Sequence, residues 1–449
     1  MNWRKTVYIR YAAARGYRFP ALLSQFGRQY ERGVNAEITT RALVELLQHC
    51  GAKVEYYSEL FARAGEIGNA DPREYLQRLP ILSKQMIRAN FEKLRSIDLR
   101  RRKWSYNTSG GSTGEPVHLI QDREYEDRSK AISLLYQSLL GCEIGQPLVR
   151  LWGSERDIEG GTRSPKARFF NWLTNTTWMN AFQMSPDRMR QFVKTLNRVR
   201  PRLIVAYAQA AYELARFVEK EQLALEPQHA IATSAGTLFP FMREKIAQVF
   251  GCKVYNLYGS REVSDIACEL PGVFGLWVAP WGNYVEILDD EARPVPLGEE
   301  GNIVVTCLTN YAMPLVRYWI GDRGALAQMG RTGQTDGAES VQLLRNVSGR
   351  NVDAFRTRDQ TLIDGEYFTH LLYFRPWVWK FQVIQRSYDR VSFRVVRANG
   401  EAPKAELEEI AAKARLVMGP NCQVDFEFPN QLEPHPSGKY RYTISEVSV

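Results

Sequence analysis

A chain of 449 residues exceeds one ordinary core and predicts two or three domains. With 44% hydrophobic and 24% charged residues the composition is globular, and no apolar run nears the roughly 18 residues of a membrane span. The net charge of +9 raises a nucleic-acid reading, but basic residues are dispersed and the tightest cluster is "LRRRK" at 99–103. A solvated face or an anionic small molecule accounts for that pattern, so no nucleic-acid partner and no membrane span are expected.

The opening "MNWRKTVYIRYAAARGYRFP" lacks the continuous apolar stretch of a signal peptide, which predicts a cytoplasmic protein. Six dispersed cysteines (Cys50, Cys142, Cys252, Cys268, Cys307, Cys422) contain no C-x-x-C pair and fit a reducing compartment. The first hundred residues read helical. "ALVELLQHC" brings Leu43, Leu46 and Leu47 to one face, and "KQMIRANFEKL" repeats the pattern. From 130 to 260, helical stretches such as "YELARFVEKEQ" alternate with apolar runs such as "RLIVAY" and "KVYNLYG", predicting an α/β layer with largely parallel strands. Near 284 the period changes: "YVEILDDEARPVPLGEEGNIVVTCL" reads as strand, acidic turn, Pro/Gly turn and strand.

The last hundred residues read as a separate unit. "KFQVIQRSYDRVSFRVV" predicts a hairpin turned around Asp389. "AELEEIAAKARLVMG" predicts a helix burying Leu407, Ile410, Ala414 and Met418 and ended by Gly419-Pro420, and "QVDFEF" a half-buried strand. The polar junction "NVSGRNVDAF" sets an expected boundary near 350, giving a large domain over 1–350 and a small lid over 351–449.

Chemistry concentrates in loops. "SYNTSGGSTGEPVHL" (105–119) exposes amides and hydroxyls as a phosphate-wrapping loop would, but Glu115 follows Gly114 where a P-loop needs lysine. An isolated Gly/Ser run is usually an ordinary surface turn. Four further stretches alter that weighting by their order: "NLYGSREV" (256–263), "LVRYWIGDRG" (315–324), "SGRNVD" (348–353) and "HPSGKYRY" (435–442). Each alone is weak, since Asp322 could cap a turn, Arg350 could be a surface cation, and Lys439 a solvated lysine. Five histidines without metal-ligand spacing and no G-x-S-x-G leave little for a metal centre or a hydrolase triad. Trp152, Phe169, Phe170, Trp172, Trp178 and Phe182 are expected to serve mostly in core packing.

Across nearly its whole length the sequence resembles the adenylate-forming superfamily. Within it, the likeness is to the phenylacetate–CoA ligase-like branch, which includes capsular-polysaccharide-associated members. "LPILSKQMIRANF", "TSGGSTGEPV", "VYNLYGSREVSDIACE", "LTNYAMPLVRYWIGDRG" and "PSGKYRYTISEV" carry the likeness. The resemblance implies a large α/β domain with a β-barrel-like piece and a small α+β lid. It implies activation of a small carboxylic acid by ATP and Mg2+ as acyl-AMP, with transfer to CoA. Alternatives are transfer to an amine, giving an amide in polysaccharide or secondary-metabolite biosynthesis, and a non-catalytic nucleotide-binding member.

By the same resemblance, Thr108, Ser109, Gly110, Gly111, Ser112, Thr113 and Gly114 clamp the β- and γ-phosphates. Glu262 binds magnesium. Asn256, Tyr258, Gly259 and Ser260 form the adenine-side turn, with Tyr258 stacking on the base beside Ser234, Ala235, Gly236 and Thr237. Asp322 takes both ribose hydroxyls, Arg350 holds ribose or phosphate, and Lys439 reaches the α-phosphate and acyl oxygen from the lid. Two departures stand out. Val352 occupies the hinge position that relatives fill with an acidic residue or lysine, with Asp353 beside it. Cys268 lacks the partners of the zinc cluster that many relatives of this branch carry, so no zinc is expected and Cys268 is expected in the core.

Overall fold

The computed structural model describes residues 2–65, 68, 71–108, 117–152, 164–181, 184–327, 341–348, 355–359, 361–363, 365–372, 375, 377–398, 401–432 and 442–447. The N-terminal helices are α1 (Trp3–Ala14), α2 (Phe19–Arg32), α3 (Ala36–Lys53), α4 (Glu55–Ala64), α5 (Pro72–Leu76) and α6 (Lys84–Ala89). In α3, Leu43, Leu46 and Leu47 are buried, as their spacing predicts. Ser83 caps α6 by accepting from the Met86 N–H, and the helix stops at Ala89, short of the full "KQMIRANFEKL" periodicity.

A hairpin of β1 (Trp104–Thr108) and β2 (His118–Asp122) brackets the Gly/Ser/Thr loop. Asp122 caps the next helix, α7 (Arg123–Leu139), by accepting from the Tyr125 N–H. The alternating segment follows as β3 (Leu148–Trp152), α8 (Pro165–Thr174), β4 (Thr176–Asn180), α9 (Pro186–Val199), β5 (Leu203–Tyr207), α10 (Ala208–Lys220), β6 (Ala230–Ser234), α11 (Pro240–Phe250) and β7 (Lys253–Ser260). The antiparallel strands are β8 (Ser264–Glu269), β9 (Leu276–Val278), β10 (Asn283–Leu288), β11 (Gly301–Cys307), β12 (Tyr318–Leu326) and β13 (Leu343–Ser348).

All but the hairpin strands join one 11-stranded sheet in the order β10-β11-β12-β13-β9-β8-β7-β6-β5-β3-β4. The strand β7 is where its character changes. Residues Lys253–Asn256 run parallel to β6, whereas Leu257–Ser260 pair antiparallel with β8. Open α/β sheets take ligands at the carboxyl ends of their strands, where the topology reverses. The "NLYGS" stretch occupies that place.

Two apolar layers cover the sheet. Helix α7 packs Ala131, Ile132 and Leu135 with Leu148, Val205, Ala232 and Cys268 on one face. On the other, Val193, Leu196, Leu214 and Ile246 of α9, α10 and α11 pack with Val149, Leu151, Ile204 and Ile231. The aromatic segment departs from expectation: Phe169 and Trp172 are 50% and 54% exposed, and Trp152, Phe170 and Trp178 are half-buried. Phe182 lies outside the described residues. Only Leu173 of α8 is buried, and the rings of α8 lie against Trp3, Tyr8 and Tyr11 of α1.

The small C-terminal α+β domain contains the short strands β14 (Phe355–Arg356) and β15 (Leu362–Ile363), α12 (Gly365–Leu372), β16 (Val378–Ser387), β17 (Arg390–Arg397), α13 (Lys404–Met418), β18 (Gln423–Glu427) and β19 (Thr443–Ser445). Its four-stranded sheet runs β18-β17-β16-β19. The hairpin turns at Asp389, whose carboxylate accepts from the Ser387 hydroxyl. Ile410, Ala414 and Met418 form the buried side of α13, and Gly419 ends it at φ 106°. Residues 349–354, Val352 and Asp353 among them, lie outside the described residues, so the division at 350 stands as a proposal. Arg356 just beyond them reaches Glu213 of α10 at 3.2 Å, an ion pair between the small and large domains.

Candidate active site

The hairpin stem is tied to the turn that holds Glu262. The Asn107 side-chain amide donates to Gln121 Oε1 at 2.9 Å and to the Arg261 carbonyl at 3.2 Å. Gln121 in turn donates to the same carbonyl at 3.0 Å. Two carboxamides thus fix the root of the Gly/Ser/Thr loop, at Thr108, against the β7–β8 turn. Ser109, Gly110, Gly111, Ser112, Thr113 and Gly114 themselves lie outside the described residues, as do Arg350 and Lys439.

Glu262 is buried and faces two donors. The Tyr318 hydroxyl donates to its Oε1 at 3.2 Å, and Lys84 Nζ stands 3.6 Å from the same oxygen. Lys84 is itself only 10% exposed. A buried carboxylate needs such partners, because an uncompensated charge in the interior is costly. Among the described residues no group of three or more His, Cys, Asp or Glu side chains gathers to hold a metal. Magnesium takes one or two protein carboxylates and completes its shell with phosphates and water, so a single Glu262 carboxylate suits a nucleotide-borne cation.

Strands β7 and β12 meet through Tyr258, whose hydroxyl donates to Asp322 Oδ2 at 3.0 Å. Tyr258 is 9% exposed, so its ring is held largely by the core and its hydroxyl orients Asp322. Gly259 allows the close strand approach: a Cβ there would meet the Ser264 carbonyl at 2.7 Å. Asn256 donates its backbone N–H to Glu269 at 2.8 Å. Beyond β6, Ala235 adopts φ 58° in the "SAGT" turn. Among the described residues the hydroxyls of Thr237 and Ser260 are buried without a hydrogen-bond partner. Orphaned buried hydroxyls are uncommon and mark places where a ligand or ion can complete the bonding.

The structure thus ties the loop root at Thr108 to the turn of Glu262 and ties Tyr258 to Asp322, with Ser234–Thr237 at the end of β6, the strand beside β7. Sequence reasoning missed Lys84 and Tyr318 beside Glu262, and Asn107 and Gln121 beneath the loop. "LPILSKQMIRANF" contains Lys84, but helical periodicity there conveys packing and not charge. It also missed Arg317, which is 2% exposed, adopts φ 51° and pairs with Glu286 at 3.0 Å, anchoring the start of β12 and hence Asp322. Cys268 lies in the core, and burial pushes its thiol pKa well up.

Residues 355–446 match the model of the CapK C-terminal domain. The chain is 24% identical over 417 residues to protein CapK of Staphylococcus aureus, covering 92% of this chain and 89% of that protein. It is 26% identical over 306 residues to phenylacetate-coenzyme A ligase of Thermus thermophilus, covering 62% and 63% of the two chains. Among solved structures, 2-hydroxyisobutyryl-CoA ligase with 2-HIB-AMP and CoA in its thioesterification state superposes with a TM-score of 0.57 at 17% identity, covering 91% of this chain and 90% of that one.

The fold is that of an adenylate-forming ligase. The sequence likenesses to protein CapK and to phenylacetate-coenzyme A ligase are consistent with the phenylacetate–CoA ligase-like branch.

Proposed function

We propose that this protein activates a carboxylic acid with ATP as an acyl-adenylate and transfers the acyl group to CoA. The observation that carries the reading is the convergence, at the point where the sheet changes from parallel to antiparallel, of Glu262, the Tyr258–Asp322 pair and the stem of the Gly/Ser/Thr loop. In the first step a carboxylate oxygen attacks the α-phosphorus and the bond to pyrophosphate breaks. In the second, the thiolate sulfur attacks the acyl carbon and AMP leaves.

Both partners in the first step are anions, so the protein's task is to hold them in line and offset charge. Magnesium bound with the nucleotide would neutralise phosphate charge, and Glu262 would hold it. In this reading Asp322, oriented by Tyr258, accepts both ribose hydroxyls. Thr237 and Ser260 complete their bonding on the nucleotide. Residues 108–114 wrap the terminal phosphates, Arg350 holds ribose or phosphate, and Lys439 supplies positive charge at the α-phosphate from the lid. The capsule-associated relative supports a place in polysaccharide biosynthesis.

The test is pyrophosphate release across a panel of acids, with and without CoA. Acid-dependent release, and an acyl-CoA product only when CoA is present, is expected. Release followed by product only with an amine would replace CoA by an amine acceptor. A protein that binds ATP but releases no pyrophosphate with any acid would overturn the enzymatic reading.

A further inference from the structure

Helices α1 and α8 pack against each other near β4, the last strand of the sheet, and leave large apolar side chains uncovered. Trp3 is 51% and Val7 44% exposed, and Phe169 and Trp172 stand half in solvent beside them. Ring centroids of Trp3 and Trp172 are 5.7 Å apart, and those of Phe169 and Trp172 5.8 Å, so the two helices share one patch. Helical spacing explains it. Trp3, Val7 and Arg10 follow one another at steps of four and three on the outward side of α1, while Ala12 turns inward. Phe169 and Trp172 are three apart on α8, whose Leu173 takes the buried side.

The charge on these helices has one sign. They carry Arg4, Lys5, Arg10, Lys166 and Arg168 and neither Asp nor Glu. From Asn2 to Tyr30 the chain has no acidic residue. The Arg4 guanidinium lies 5.1 Å from the centroids of both Trp3 and Trp172 and donates to the Trp172 carbonyl. Lys5 pairs with Glu143 at 2.7 Å. Arg10, Lys166 and Arg168 are exposed, and among the described residues no ion pair holds them.

Single exposed apolar residues are ordinary, whereas contiguous ones mark an interaction surface. The charge pattern selects the partner. A second copy seated on the same face would set these cations against their own kind, because a two-fold contact repeats one patch on both sides. An anionic bilayer surface meets both features: lipid phosphates answer the arginines and lysines, and the headgroup boundary takes Trp and Phe rings. Among the described residues no helix is long and apolar enough to cross a membrane, so the face suits one that rests upon it.

We propose that the α1–α8 face docks the protein on an anionic phospholipid membrane. Trp3, Phe169 and Trp172 enter the headgroup boundary, and Arg10, Lys166 and Arg168 pair with lipid phosphates around them. The inference does not depend on the acyl-adenylate reading. In the sheet order β4 lies four strands from β7, so substitutions on this face stand apart from the proposed chemistry.

Co-sedimentation of the full chain with vesicles tests this, comparing mixed phosphatidylcholine–phosphatidylglycerol vesicles with phosphatidylcholine alone. Partition into the anionic vesicles is expected to be about 100-fold stronger and to fall as salt is added. Arg10→Glu combined with Arg168→Glu should weaken it by about 100-fold. Trp3→Ser combined with Phe169→Ser should weaken it by about 10-fold. Melting temperature and vesicle-free pyrophosphate release should stay native in the arginine pair, whose side chains are exposed and unpaired. That pair decides the matter alone if the aromatic variant does not fold. Absence of binding, equal binding to both vesicle types, or binding that the arginine reversals leave intact would overturn the inference. So would a dimer in solution that the same reversals dissociate, without vesicle binding, since the face would then belong to a second copy.

Discussion

Glu262 and Asp265 flank one turn, yet their surroundings differ in kind. Glu262 is closed in by Lys84 of α6 and Tyr318 of β12, elements on the antiparallel side of the sheet. Asp265 accepts from Ser133 of α7, on the side that continues into the parallel strands. Burial raises the Asp265 pKa, and the Ser133 hydrogen bond with the Arg150 and Lys130 charges opposes that rise. One turn thus presents one carboxylate toward the proposed phosphates and another toward α7. The first faces a lysine and a tyrosine hydroxyl, whereas the second is held by a serine hydroxyl.

The sharpest way to break the comparison is Glu262→Gln. Pyrophosphate release should fall by about 10²–10³-fold, the scale of losing one electrostatic contact in a water-excluded site, with the far-UV circular dichroism unchanged. Chelating magnesium should reproduce that loss in the native protein. An equal loss of folded protein in the variant would make Glu262 a structural residue.

Lys84→Met removes the cation beside the buried Glu262 carboxylate and should cost about 2–4 kcal/mol of stability in urea unfolding. Adding Glu262→Gln to it should recover part of that loss, since the uncompensated charge is then gone. Additive losses would show that the two side chains are uncoupled.

Asp322→Ala should raise the KM for ATP by roughly 10–30-fold with less effect on kcat, because a ribose contact is made in ground and transition states alike. Tyr258→Phe, which removes one hydrogen bond, should give a smaller rise of about 5-fold. An unchanged KM in Asp322→Ala would remove the ribose from this carboxylate.

The smallest effect is on stability at the Asp265 side. Lys130 titrates at about 8 in the fold against an ordinary 10.5, with Arg150 and Asp265 as the charges facing it among the described residues. Below pH 8 both folded and unfolded chains carry the proton, and the folded state bears the full desolvation cost of that charge. Between 8 and 10.5 the unfolded chain binds more protons, so stability rises with pH across that window. Lys130→Met should therefore melt at a higher temperature than the native protein at pH 7, and the gap should narrow as pH rises toward 10.5. A lower melting temperature for the variant at pH 7 would mean that Lys130 contributes favourable packing or pairing in the free protein.

Local pattern determined much of this molecule. Leu43, Leu46 and Leu47 announced the buried side of α3, and the turn at Asp389 and the stop at Gly419 followed from side-chain period and backbone freedom, which are properties of neighbouring residues. The motif residues Glu262, Asp322 and Tyr258 were also legible, because each stands in a short stretch whose residue types and order carry meaning. The exposed rings of Phe169 and Trp172 were not, since aromatic content alone does not say which face of a helix finds a partner. Nor was the pairing of Lys84 with Glu262, the Tyr258–Asp322 bond or the bond between Ser133 and Asp265. These join residues far apart in sequence, and their energies depend on distance and dielectric. Only the folded sheet, changing from parallel to antiparallel within β7, sets those two quantities.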